Sequence, residues 1–179
     1  MLETPTQYID LVRVLNEHEV DFVLVGALAA VLQGAPISTF DMDIVHSRDP
    51  ANVRRLVAAL KSVHAYYWEH TLKRLEPEER TLLLPGHHLL NTDLGRIDVL
   101  GRVGAEREYP QLIGQSIEIP IGAKQIVFAL NLEAIIETKR EADRPKDRLA
   151  LPVLINTLAE LKRAADDSCT TNSAEMDDQ

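Results

Sequence analysis

Phe22 to Val45 reads F-V-L-V-G-A-L-A-A-V-L-Q-G-A-P-I-S-T-F-D-M-D-I-V, and this order of residue types decides the fold. Phe22 to Val25 is a continuous run of β-forming apolar residues, the pattern of a buried strand, and Gly26 ends it. Ala27 to Gln33 is short, apolar and alanine-rich, which predicts a helix packed closely on a sheet with Gly34 as its stop. Pro36 breaks the chain again, and Phe40 to Val45 predicts a second strand carrying Asp41 and Asp43. Two strands joined by a glycine turn and a short helix thus bring a pair of carboxylates to one end of a small sheet.

Residues i and i+2 of a strand share a face, so Asp41 and Asp43 project together while Met42 and Ile44 project the other way. Side by side on a sheet otherwise built for burial, two carboxylates repel unless a cation or another partner compensates them. Further along, Thr81 to Leu84 and His88 to Thr92 read as short strands with Pro85-Gly86 as the turn between them. Asp93-Leu94-Gly95 reads as a second hairpin connection into Arg96 to Leu100, where Arg96, Asp98 and Leu100 share one face and Ile97 and Val99 the other. Asp98 is therefore a third strand-borne carboxylate with apolar neighbours.

The remaining segments supply packing. Pro5 to Glu19 predicts an amphipathic helix, with Thr4 as N-cap, Pro5 at the first helical position, and Tyr8, Leu11, Val12 and Leu15 on its apolar side. Asp49-Pro50 starts another, with Val53, Leu56, Val57 and Leu60 as its stripe. Val63 to Trp68 is an ambiguous strand, and the charged run Thr71 to Arg80 is an irregular candidate lid or insertion loop. Tyr109 to Gly114 reads as a polar connector, Ser116 to Ile119 as an edge strand and Lys124 to Phe128 as a short extended piece. Leu130 to Glu141 has helical spacing, and a last helix is predicted from about Lys146 to Arg163, with Pro152 as a bend point. The expected organisation is one domain over residues 1–163, with its core at about 20–102 and carboxy-terminal helices at about 130–163, and a disordered acidic tail over 164–179.

Bulk properties narrow the function. The 179 residues carry a formal charge of −9, which argues against broad electrostatic binding of nucleic acid. Five of the acids lie beyond Ala164, and without them 23 acidic face 19 basic residues, so a local basic patch is compatible with the body of the chain. Cys169 is the only cysteine, and the histidines lack a helical metal-pair spacing, which excludes a disulfide framework and a zinc site of the usual kind. No apolar run reaches the roughly 18 residues of a membrane span, and no secretory leader pattern opens the chain, so a cytoplasmic location is expected.

Asp41 and Asp43 have two readings. An acidic-x-acidic pair arises by chance roughly four times in a chain of this composition, most often as solvated surface charge. Their place in an apolar strand beside a glycine turn, with Asp98 in a later strand, favours a shared cation site instead. Carboxylates without His or Cys suit a hard cation such as Mg²⁺, and two such ions about 4 Å apart can stabilise both oxygens of an in-line phosphoryl displacement. Gly26 is likewise either a tight turn or a place where a triphosphate approaches backbone N–H groups at a helix start. Neither G-x-x-x-x-G-K-[ST] nor G-x-G-x-x-G occurs, which removes the P-loop and Rossmann readings.

Taken together, V-G-A, a gap of thirteen residues, D-M-D and the later R-I-D-V resemble the signature of the DNA polymerase β-like nucleotidyltransferase superfamily. More narrowly, V-G-A-L-A-A-V-L-Q-G, T-F-D-M-D-I, L-G-R-I-D-V-L-G and the late K-R and R-P-K-D pieces resemble small bacterial proteins related to AbiEii-type toxins. The resemblance, over roughly Leu11 to Leu161, implies an α+β (α/β two-layer) nucleotidyltransferase fold: a small mixed sheet flanked by helices, with a carboxy-terminal helical segment. It implies Asp41, Asp43 and Asp98 as Mg²⁺ ligands and catalytic residues, with Asp98 accepting the proton of the attacking hydroxyl. It implies nucleoside triphosphate contacts at Gly26, Ala27, Ser38, Thr39, Lys139, Arg144 and Lys146, with Asp147 orienting one of the cations. The acceptor it implies is tRNA, a protein or a small molecule, and a toxin of this kind would have an antitoxin partner. Ala27 stands where the pattern has a second Gly or a Ser, and Ile37 where related proteins often have Arg after Pro; the alternative is a catalytically degenerate module of the same fold that binds a nucleotide or a partner.

Overall fold

The structure is a computed structural model and describes residues 6–69 and 74–174. Seven strands, β1 (Phe22–Val25), β2 (Asp41–His46), β3 (Tyr66–Tyr67), β4 (His87–Thr92), β5 (Gly95–Leu100), β6 (Ser116–Ile121) and β7 (Gln125–Leu130), form one sheet in the order β3-β4-β5-β2-β1-β7-β6. β2 runs antiparallel to β1 and parallel to β5, and β1 runs parallel to β7, so the sheet is mixed. Among the described residues, seven helices flank it: α1 (Tyr8–Glu17), α2 (Gly26–Val31), α3 (Pro50–Ser62), α4 (Glu79–Leu82), α5 (Tyr109–Ile113), α6 (Leu132–Ala142) and α7 (Pro145–Ala174).

β1 is buried at all four positions because it lies between β2 and β7 and is covered by helices, which is why its sequence is an unbroken apolar run. The core gathers Leu11, Val12 and Leu15 of α1, Leu56 and Leu60 of α3, and Met42, Ile44, Ile97 and Val99 of the central strands. α1 packs on α3 and α3 on α4; α2 packs on α6 and α6 on α7. α3 begins where the Asp49 carboxylate accepts from the N–H groups of Ala51 and Asn52, with Pro50 in the first turn. Buried Asn52 then accepts from the Asp21 N–H and donates to the carbonyls of Asp21 and Ser47, tying the start of β1 to the end of β2.

Several expectations need correction. Thr81 to Leu84 is not a strand: α4 forms there because Thr81 and Glu78 cap each other, and the turn buries Leu82 completely. Pro85-Gly86 therefore links a helix to β4, and the buried His46 ring lies between the carbonyls of Leu82 (3.0 Å) and Leu100 (3.1 Å), joining α4 to β2 and β5. Burial pushes the His46 pKa down. Tyr109 to Gly114 is the helix α5, closed by the Gln111 side chain accepting from the Glu108 N–H and anchored by buried Leu112. α7 runs through Pro152 to Ala174, with no further Pro or Gly to interrupt it. Thr4 and Pro5, the start of the run Thr71 to Arg80, and residues 175–179 lie outside the described residues.

Candidate active site

Register alone aligns the three carboxylates. Asp43 pairs across β2 and β5 with Asp98, and Asp41 pairs with Arg96, so all four side chains share one face of the sheet. One oxygen from each of Asp41, Asp43 and Asp98 lies within 4.8 Å of the others, and this is the only group of metal-ligand type among the described residues. Burial, the charge of Asp41 and that of Asp98 push the Asp43 pKa up to about 7, against the opposing pull of Lys146 and Lys139. Burial and Asp41 push Asp98 up to about 6, while Lys146 and Arg96 pull it down. Burial is the larger cause of both shifts and the mutual repulsion of the carboxylates adds to it, so a cation placed among the three would favour their charged forms.

Gly26 touches the same group. Its φ is +70°, and a Cβ there would stand 2.1 Å from the Asp43 Oδ2 and 2.9 Å from its Cγ. The turn reading of Gly26 is thus supported, and a further reason emerges: the space a side chain would fill is taken by the Asp43 carboxylate. Ala27 follows in the first turn of α2, half-buried beside it.

The Thr39 hydroxyl is turned to Asp41, at 3.0 Å from the carbonyl and 2.9 Å from the carboxylate Oδ1. The Tyr8 hydroxyl donates to the Thr39 carbonyl at 3.0 Å, so α1 steadies the entry to β2. Ser38 is exposed just before it, and Ile37 packs against the hydrophobic core.

The late basic residues divide. Lys139 and Lys146 both act on the charge of Asp43, so α6 and the start of α7 bring two ammonium groups toward the carboxylates. Arg144 is turned to Asp147, whose side chain is 0% exposed: Arg144 Nε lies 2.6 Å from Asp147 Oδ2 and Lys139 Nζ 3.0 Å from Oδ1. Burial raises the Asp147 pKa, but Arg144 and Lys139 together hold it below the usual carboxylate range. Asp147 thus accepts from both Lys139 and Arg144. Arg96 is the residue that sequence reasoning left unused; its place two residues before Asp98, hence on the same face, was the available signal.

The chain resembles two solved structures of ANT(2'')-Ia, an antibiotic-resistance factor. Its solution structure is 17% identical, covers 97% of this chain and 98% of its own, and gives a TM-score of 0.56. The crystal structure in complex with adenylyl-2''-tobramycin is also 17% identical with a TM-score of 0.56, over 92% of this chain and 99% of its own. No protein-family profile and no curated protein matches the sequence. At this identity the likeness shows the fold alone, a mixed sheet flanked by helices, as expected. Among the described residues, no helix is long and apolar enough to cross a membrane.

Proposed function

We propose that this chain is a nucleotidyltransferase that moves NMP from a nucleoside triphosphate to a hydroxyl acceptor. The observation that carries the reading is the convergence of Asp41, Asp43 and Asp98 within 4.8 Å on one face of a nucleotidyltransferase sheet. An all-carboxylate donor set whose members repel one another in an enclosed place fits Mg²⁺, and these three residues would hold it. When bound, Mg²⁺ supplies neutralisation of the charge on the phosphates and a template for their alignment.

The chain's own residues carry the rest. Asp98, half-buried in the trio, takes the proton of the hydroxyl as the hydroxyl oxygen bonds to the α-phosphorus. The bond from that phosphorus to the bridging oxygen breaks, and pyrophosphate leaves with the electron pair. Lys139 and Lys146, whose charges act on Asp43, meet the phosphates, while Asp147 pairs with both Lys139 and Arg144. Gly26, Ala27 and Ser38 border the triphosphate, and Thr39 acts through Asp41. A cytoplasmic, single-domain protein acting as an AbiEii-like toxin on tRNA or a protein belongs to this reading, as does a cognate antitoxin. A small-molecule acceptor is the other branch, and the adenylyl-tobramycin complex of ANT(2'')-Ia supports it.

The test is transfer of label from each α-labelled NTP with and without Mg²⁺. The Asp41→Asn, Asp43→Asn protein should lose Mg²⁺-dependent transfer by at least about a thousandfold; retained transfer would refute the mechanism. A second reading, a degenerate nucleotide-binding module, is favoured by Ile37, an apolar side chain packed against the core that offers no charge to a phosphate. Under that reading calorimetry finds NTP·Mg²⁺ binding with no pyrophosphate release.

A further inference from the structure

The three carboxylates are not held equally. Asp43 is an inner rung of the sheet, paired with Val25 of β1 and with Asp98 of β5, and Asp98 lies between Asp43 and Leu89 of β4. Asp41 opens β2, and the pairing of β1 with β2 ends at Asp43, so Asp41 has a strand neighbour on one side only, Arg96. The last rung of a ladder frays readily, and a metal ligand placed there needs support from outside the sheet.

That support comes from the segment leading into α1. The Thr6 hydroxyl donates to the Phe40 carbonyl at 2.7 Å and accepts from the Arg96 N–H at 3.2 Å, so one side chain bridges the starts of β2 and β5. The Gln7 N–H donates to the Leu94 carbonyl at 2.7 Å. The Tyr8 hydroxyl holds the Thr39 carbonyl, and the Thr39 hydroxyl in turn holds Asp41. Three consecutive residues therefore grip the chain on both sides of the Asp41 rung.

β5 is shaped to receive this segment. Gly95 has a φ of +109°, and a Cβ there would stand 2.5 Å from the Thr6 Cα and 2.6 Å from its Oγ1. The first contact is with backbone, which no side-chain rotation relieves, so a residue without a Cβ is what lets the segment lie this close. α1 fixes the other end through Leu11, Val12 and Leu15, which are buried in the core. The segment is thus pinned at both ends, and it can set the place of a strand end that the sheet holds on one side only.

We propose that Thr6 and Tyr8 are positioning residues of the cation site: through Phe40, Thr39 and the Asp41 rung they set Asp41 where it shares a divalent ion with Asp43 and Asp98. Both hydroxyls act on backbone carbonyls, so their effect on Asp41 is one of placement. The inference rests on the reading of the trio as a cation site and requires no nucleotide transfer.

The test uses Mn²⁺ in place of Mg²⁺, because electron paramagnetic resonance distinguishes bound from free Mn²⁺ with no nucleotide present. The wild type should bind the ion, and the Asp41→Asn, Asp43→Asn protein should not. Thr6→Val and Tyr8→Phe keep the shape of the side chain and remove its hydroxyl; each should weaken Mn²⁺ binding roughly 10-fold. Thr6→Ser, which restores the hydroxyl, should bind like the wild type. Melts in chelator followed by circular dichroism check that each variant is folded. A merely structural role would lower Tm in chelator and leave the Mn²⁺ affinity of the folded chain unchanged. Unchanged affinity in both Thr6→Val and Tyr8→Phe overturns the proposal while the cation site stands, as does a loss in Thr6→Ser equal to that in Thr6→Val. Failure of the wild type to bind Mn²⁺ overturns both. A chain that shows the expected series of affinities but transfers no nucleotide upholds the positioning role and refutes the transfer reading alone.

Discussion

Replacing Gly26 by alanine tests the geometry at the point where the backbone and the carboxylates meet. Two costs are legible. Alanine at a φ of +70° is strained by about 1–2 kcal/mol. Its Cβ would also stand 2.1 Å from Asp43 Oδ2, a contact that only a movement of the Asp43 side chain can relieve, at about 1 kcal/mol for leaving its rotamer. Together they lower stability by about 2–3 kcal/mol, or roughly 5–10 °C in Tm for a chain of this length. Because most of the second cost belongs to the Asp43 carboxylate, it falls in an Asp43→Ala background, where only the 3.1 Å approach to the Cβ of residue 43 adds to the backbone strain of Gly26→Ala. Urea unfolding of the four proteins of this cycle should therefore give a coupling of about 1 kcal/mol. The Tm gain on adding MgCl₂ should also be smaller in Gly26→Ala than in the wild type, since Asp43 has been pushed from its place. Equal costs of Gly26→Ala in both backgrounds would refute the claim that the glycine makes room for that carboxylate.

The raised carboxylates make stability depend on pH. Asp43 and Asp98 titrate near 7 and 6 in the folded metal-free chain against an ordinary 3.8, so their folded forms hold protons that the unfolded chain has released. Their contribution is complete below about pH 4 and is lost as pH rises through 6 and 7. Thermal melts in chelator should accordingly lose Tm between about pH 5 and pH 8 from this source, and MgCl₂ should restore more at pH 8 than at pH 5; an equal or absent Mg²⁺ effect at both would be the wrong result. Asp147→Asn removes the charge that two cations surround in a buried site, and urea unfolding should register a loss of roughly 2–4 kcal/mol, with a loss under about 1 kcal/mol contradicting the structural role given to Asp147.

The part of the fold that holds the candidate site was legible because it is written in two local codes. Apolar runs gave β1 and β2, and period-two alternation put Asp41 and Asp43 on one face and Asp98 on the matching face of β5. What failed was local pattern without a decisive period. Thr81 to Leu84 has β-forming residues, yet a reciprocal side-chain cap with Glu78 and the burial of Leu82 made it helical. Tyr109 to Ile113 failed the same way, through a cap at Glu108. The site's hidden parts were tertiary. No pattern in sequence tells that Asp43 fills the space at Gly26, that Thr39 bonds Asp41, or that Arg96 crosses to Trp68.

The two-residue connection Asp93-Leu94 between β4 and β5 fixes more than a bend. Thr92 pairs with Gly95 across it, and from there a strict alternation leads to Asp98. Lengthening that link by one residue within the pairing would hand Asp98 to the core face and Ile97 to the open one. Over generations, such a hairpin should tolerate changes of side chain far more readily than changes of length, whereas the connections that carry no carboxylate can grow or shrink. The constraint is arithmetic: the site is counted off in steps of two from a turn, and an odd insertion breaks the count.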